Sequence, residues 1–363
     1  MIDNIHLNNF RSYKELKVDL SEDINVFIGK NGQGKTNLLE SIYYISNIRS
    51  HRSRDDKTLI MTNEDFSRII VNLKFNDKKE KLMCVIHSQG KYFSINNNVV
   101  SKTSDILGQL NTVLFYPNET RLFNDSPATR RNFFDVEIGK VSKDYTMIFQ
   151  EFNNLLKDRN RLLKEENIDD ILLDVINDKL IDKQLYIIQE RKFLTGFIND
   201  NLNNYLNRLS SESLNIEMQY VSTLNNLNKE QLKIKYKNNL DRDKFNRITN
   251  EGIHRDDYLF YTEGVEISKY LSQGQTRLTL LGIKFVLIQY IISKTKRKPI
   301  LLLDDVLSEL DEIHQIKLIE NIPADVQTII TSTDNHKVFD KKNITKYIIN
   351  NSEIVKKEDF DVW

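Results

Sequence analysis

The segment Gly29-Lys30-Asn31-Gly32-Gln33-Gly34-Lys35-Thr36 constrains what this chain can fold into more than any other stretch. It fits the phosphate-binding loop pattern, and its setting is the one that chemistry needs. An apolar run, Ile24 to Ile28, precedes it as a candidate strand, and an apolar-periodic segment from Asn37 to Ile48 follows as a candidate helix. Glycines let successive backbone N–H groups converge on one anion, and the start of the helix adds partial positive charge. In such a loop Lys35 bridges the β- and γ-phosphates of a nucleotide, while Thr36 supplies an oxygen to Mg²⁺. Strand, loop and helix in this order predict an α/β fold with a doubly wound, largely parallel sheet.

A second apolar run, Ile300 to Leu303, ends in Asp304-Asp305. Ligands of such sheets are met at the C-terminal ends of the strands, so Asp304 is placed to hold Mg²⁺ and Asp305 to accept the proton of an attacking water. Paired acids after a strand also serve as a helix N-cap with a surface neighbour. Leu271-Ser272-Gln273-Gly274-Gln275 opens another helix about 30 residues earlier, a second helix start suited to an anion. Ser308-Glu309-Leu310-Asp311 follows the acids, and Thr331 to Asp334 closes the next apolar run, where Thr331 could sense a γ-phosphate.

Glycine and proline placement sets the organisation. Residues 128 to 298 contain no proline, and Gly139 and Gly196 are the two glycines between Gln109 and Glu251. Apolar residues recur there at three and four, from Ile148 to Leu163 and from Ile171 to Leu209, which predicts two long amphipathic helices. The second extends about 60 Å if unbroken at 1.5 Å per residue, with Gly196 a candidate bend. This reads as an arm or lid rather than a globule. On either side the period falls to two. Ile24 to Ile28, Ile69 to Phe75, Leu82 to Ile86, Tyr92 to Ile95 and Thr112 to Tyr116 form a β-rich block, with hairpin turns at Ser88 to Gly90 and Asn96 to Asn98. Ile300 to Leu303, Val326 to Thr331 and Tyr347 to Ile349 alternate with helical patterns. The expected division is therefore residues 1–117 with 298–363 as one lobe, and 118–297 as a second carrying the arm at about 140–250 and the pentapeptide at 271–275.

Charge narrows the function classes. Lys plus Arg equal Asp plus Glu at 52 each, so a nucleic-acid surface has to be local. The arm supplies none by composition, with 18 Lys and Arg against 17 Asp and Glu from Lys140 to Asn250. The densest positive cluster is Arg49, Arg52 and Arg54 with His51, followed by Arg130 and Arg131. DNA backbone contact, solvated charge and contact to a neighbouring subunit's nucleotide all suit them. His254 and Asp256 fit a hydrogen-bond network between arm and head better than a metal site. The single cysteine, Cys84, points to a reducing cytoplasm. The apolar run Leu278 to Ile292 reads as a buried helix, since Lys284 and Gln289 interrupt it and it falls short of a membrane span.

Together these residues resemble the ABC-type ATPase heads of the SMC class, with a P-loop at 29–36, a signature at 271–275, the strand-end acids at 300–305 and a D-loop at 308–311. The match is closer to the RecF family. It is carried by Asn9 to Tyr13, Gly34 to Glu40, Arg49 to Arg52, Ser126-Pro127 with Arg130-Arg131, Gly252 with His254 to Asp257, Leu271 to Gln275 and Leu303 to Asp311. It covers nearly the whole chain. Many RecF proteins place proline where Ile253 stands, and no glutamine follows the strand ending at Tyr116.

The resemblance implies ATP and Mg²⁺ as ligands and slow hydrolysis by Asp305. It implies a homodimer in which Ser272, Gln273 and Gly274 of one subunit close over the nucleotide of the other, with Asp311 in the D-loop. Arg11 would touch the nucleotide, or else pack on Tyr13. Implied partners are single- and double-stranded DNA at gaps, with RecR, RecO and RecA; no membrane is implied. The competing readings are a nuclease-associated SMC-like head, which expects a far longer coiled coil, and another ABC-type ATPase subunit.

Overall fold

The computed structural model describes residues 1–75, 78–102, 105–340 and 343–359. The chain separates into two compact units. The first comprises Met1–Glu119, Tyr205–Ser213 and Arg277–Trp363, and the second Thr120–Asn204 and Leu214–Thr276.

The first unit holds two six-stranded sheets. One is antiparallel, built from β1 (Ile2–Phe10), β2 (Tyr13–Asp19), β4 (Phe66–Phe75), β5 (Lys78–His87), β6 (Gly90–Ile95) and β7 (Asn98–Val99) in the order β2-β1-β4-β5-β6-β7. The other contains β3 (Ile24–Ile28), β8 (Thr112–Phe115), β12 (Ile300–Asp304), β13 (Thr328–Ser332), β14 (Ile344–Asn350) and β15 (Glu353–Asp359). Its order is β15-β14-β3-β13-β12-β8, parallel from β14 to β8 with β15 antiparallel at the edge. The β-rich block read from the sequence is thus split. β3 and β8 join the C-terminal strands, because their mostly apolar, almost wholly buried runs suit a sheet covered on both faces. β1 and β2 join the antiparallel sheet, outside the runs read as strands from the sequence.

Helix α1 (Lys35–Asn47) contributes to the same apolar core as both sheets. Leu38, Leu39, Ile42 and Ile45 are all 0% exposed and form the apolar stripe by which the helix packs into that core. Each such side chain contributes about 1.5–3 kcal/mol of burial. Helix α8 (Gln273–Thr295) is long and apolar enough to cross a membrane, yet most of its apolar stretch is buried inside the protein. Its Lys284 is 2% exposed and donates to Glu119 at 2.6 Å. Helix α9 (Glu312–Asn321) lies between β12 and β13 in the chain.

The second unit carries helices α2 (Pro127–Val141), α3 (Lys143–Leu162), α4 (Asp170–Leu209, continuing past the unit's boundary), α5 (Lys229–Asn238), α6 (Leu240–Asn246) and α7 (Ile267–Tyr270). α4 is one helix of 40 residues with Gly196 inside it. Beside the helices stands a three-stranded antiparallel sheet, β11-β10-β9, from β9 (Glu217–Val221), β10 (Asp257–Thr262) and β11 (Val265–Glu266). An arm without a globule was expected; the unit is compact instead. The physical reason is apolar burial, with Phe134, Leu180, Leu194 and Tyr258 all 0% exposed, and the charges buried with them are paired. Arg159 and Arg191 are 0% and 1% exposed, and each is neutralised by aspartates distant in sequence.

Candidate functional site

The strand order fixes the site. β13 lies between β3 and β12, so the P-loop leaving β3 and the acids leaving β12 flank the end of β13. The loop turns through Gly32 and Gly34 with φ of 81° and 102°, values that side chains resist. At Gly34 a Cβ would also meet the Tyr13 hydroxyl at 2.9 Å, so glycine is required twice over. Tyr13 donates to the Gly34 carbonyl at 3.0 Å, and the Gln33 carbonyl accepts from Ser352 N–H at 3.1 Å. Asn351 N–H donates to the Gln33 side chain. The loop is therefore braced by the β1–β2 turn and the β14–β15 turn. Lys30 and Asn31 stand exposed on it.

Lys35 is 6% exposed, and its ammonium donates to the carbonyls of Gly29 (2.5 Å) and Lys30 (3.0 Å). Burial lowers its pKa, while Asp305, Asp304 and Asp334 act to raise it. Thr36 donates its hydroxyl to Asp304 Oδ1 at 2.9 Å, and Thr331 donates to the same oxygen at 2.7 Å. Asp304 is 7% exposed, and burial raises its pKa against the pull of those two hydroxyls. Asp305 follows with φ of 48°, its N–H donating to Thr331 Oγ1 at 3.0 Å and its Oδ1 buried without a hydrogen-bond partner. A hard set of carboxylate and hydroxyl oxygens beside an unpartnered carboxylate oxygen suits Mg²⁺ and a water.

The pentapeptide at 271–275 forms a capping box. Ser272 Oγ accepts from Gln275 N–H at 3.2 Å, and Gln275 Oε1 accepts from Ser272 N–H at 3.1 Å. Ser272, Gln273 and Gly274 are exposed. Further along α8, Arg277 donates to the Glu309 carbonyl at 2.7 Å and pairs with its carboxylate. Ser308 donates to the Asp305 carbonyl, and Asp311 caps α9 at His314 N–H, 2.9 Å away.

The arginines part company. Arg11 donates bidentately to Glu40 at 2.7 and 2.9 Å and to the Thr58 carbonyl at 2.9 Å, a partnership the sequence left unseen. Arg52 donates to Asn37 and Glu40, whereas Arg49 and Arg54 are exposed. His51 adds no charge to this cluster, since burial lowers its pKa to about 4. Arg130 is 7% exposed, donating bidentately to Asp257 at 2.7 Å and to the Asp125 carbonyl, and Arg131 donates to the Asp256 carbonyl. Arg130 thus spends its guanidinium on the second unit itself, and the half-buried Arg131 donates there as well. His254 donates its Nε2–H to the Thr249 carbonyl, and Asp256 meets Arg191 and Tyr220. The partners of this network all belong to the second unit, so it joins parts of that unit and not arm to head.

A P-loop and strand-end acids on a sheet of this order define an ABC-type ATPase head of the SMC class. The profile described as the RecF/RecN/SMC N-terminal domain matches residues 1–356. The chain belongs to the RecF family: a DNA replication and repair protein RecF of Streptococcus pneumoniae is 36% identical over 338 residues, 92% of each chain. The solved structure of the recombination mediator protein RecF with ATP, in the RecFOR pathway, is 29% identical, with a TM-score of 0.89 over 98% of this chain and 97% of that one. The Smc head domain of Pyrococcus furiosus, solved with the C-terminal domain of ScpA, is similar in fold, with a TM-score of 0.56 at 17% identity over 99% of this chain and 96% of that one.

Proposed function

We propose that this chain is an ATP-dependent DNA-binding ATPase of recombinational repair, working in the cytoplasm. The observation that carries the reading is the convergence of the Thr36 and Thr331 hydroxyls on Asp304, with Asp305 N–H donating to Thr331, beside the P-loop. Gly29 to Thr36 would cradle the phosphates of ATP, with Lys35 exchanging its two carbonyl partners for phosphate oxygens. Thr36 and Asp304 would hold Mg²⁺, which neutralises charge developing on the phosphates. Asp305, its Oδ1 unpartnered, would accept a proton from the attacking water, and Thr331 fixes that residue's backbone. Hydrolysis is expected to be slow.

Ser272, Gln273 and Gly274, exposed at a helix start, would close over the nucleotide of a second copy, so that ATP assembles a homodimer and hydrolysis releases it. Asp311 would sit in the D-loop of that interface. Arg49, Arg52 and Arg54 are the phosphate-contacting candidates for single- and double-stranded DNA at gaps. Membership of the RecF family supports RecR and RecO as partners and RecA loading, replication restart and SOS induction as the outcome. Light scattering with ATP and Mg²⁺, repeated with a short duplex, tests this. A doubling of mass that carries DNA supports it; an ATP-bound monomer overturns it.

A further inference from the structure

Glu40 is an anomaly. It lies on α1, one turn past Thr36, is 0% exposed, and stands among leucines and isoleucines, yet it carries a charge. Burial works to raise its pKa, but hydrogen bonds from Arg11 and Ser50 and the charges of Arg11 and Arg52 outweigh burial and lower it. Its partners come from two other pieces of chain. Arg11 arrives from the β1–β2 turn, and Ser50 and Arg52 arrive from the segment that follows α1.

That segment, residues 49–55, forms neither helix nor strand. Its shape is set by side-chain bonds that lead back to one carboxylate. Ser50 donates its hydroxyl to Glu40 Oε1 at 2.5 Å, and the same oxygen of Ser50 accepts the N–H groups of Arg52 (2.9 Å) and Ser53 (3.0 Å). Ser53 then donates to the Asp55 carbonyl and accepts from Thr58, whose own carbonyl receives Arg11. Arg11 closes the ring on Glu40. The exposed arginines Arg49, Arg52 and Arg54 all sit on this segment.

We propose that Glu40 is a positioning residue for DNA phosphate contact, moulding residues 49–55 so that three arginines are presented together. This rests on the DNA reading above and gives it a residue-level cause. It makes a prediction of unusual sign. Neutralising an acidic residue near a basic patch ordinarily strengthens attraction to DNA. Here it is expected to weaken binding, because ordering of the patch is lost along with the charge.

The test is fluorescence anisotropy of a labelled duplex at three salt concentrations, with ATP and Mg²⁺, on the full chain and on Glu40→Gln and Ser50→Ala, with thermal unfolding of each alongside. For Glu40→Gln the Kd should rise about tenfold, and the slope of log K against log salt should shrink by about two, at 0.9 per phosphate lost. Ser50→Ala removes only the hydroxyl link and should move both in the same direction, less far. The double variant should be no worse than Glu40→Gln, since both act through one path. Wild-type affinity and slope in a folded Glu40→Gln, or in Ser50→Ala where Glu40→Gln does not fold, would overturn the proposal and leave DNA binding intact. A wild-type chain that binds no DNA would remove the DNA reading and this proposal together.

Discussion

The two units bury aspartates in opposite ways. In the second, Asp135 accepts both arms of Arg191 at 2.8 Å and the Tyr145 hydroxyl at 2.6 Å. Asp256 takes Arg191 and Tyr220, and Asp243 takes Arg159 at 2.8 Å. In the first, Asp304 accepts from two neutral hydroxyls and has a second carboxylate beside it. Among the described residues no cation forms an ion pair with it. A buried carboxylate is stable when its counter-charge is present. Asp135 and Asp256 have theirs in the fold and are architecture; Asp304 has none among the described residues, and the proposed Mg²⁺ would supply it.

The sharpest way to break this contrast is Arg191→Met. Removing one partner of a buried network leaves two aspartates uncompensated, so urea unfolding should show a loss of about 4 kcal/mol. An unchanged midpoint would mean that the second unit does not rest on its ion pairs. Asp305→Asn is expected to act the other way, on chemistry and not on stability. ATP hydrolysis should fall about a hundredfold, as loss of a general base does. The melting temperature should hold, since asparagine tolerates the left-handed backbone found at φ of 48°. A fall in both would make Asp305 structural.

A smaller effect separates the units by pH. Burial lowers the pKa of His51 and of His254 from 6.5 to about 4. The unfolded chain therefore binds protons that the folded chain refuses between those values, and stability falls as pH drops from about 6.5 to about 4. Chemical denaturation of His254→Gln should lose the second unit's share of that decline and His51→Gln the first unit's. An unchanged pH profile in either variant would sink the assignment for that histidine.

Much of the first unit was legible because its chemistry is contiguous. The P-loop and the strand Ile300 to Leu303 with its acids are short runs whose spacing carries their role. The second unit was legible as helices and no further. Arg191 reads as one more polar residue on a helix face, and nothing near it in sequence points to Asp135, 56 residues away, or Asp256, 65 away. For the same reason Arg130 and Arg131 read as a basic patch, although Asp257 claims the first. The sheet of β9, β10 and β11 went unread because its strands are short and α5 and α6 stand between β9 and β10. Glu40 was visible as part of a motif, but its use depends on chain segments brought to it by the fold.

The contrast between finished and unfinished carboxylates is tested most directly by ATP affinity with and without Mg²⁺, measured by calorimetry on the wild-type chain and on Asp304→Asn. The wild type should bind ATP at least about tenfold more tightly with Mg²⁺, about 1.4 kcal/mol, and the variant should gain nothing from the ion. An equal gain in both would show that Asp304 is not the residue that waits for a cation.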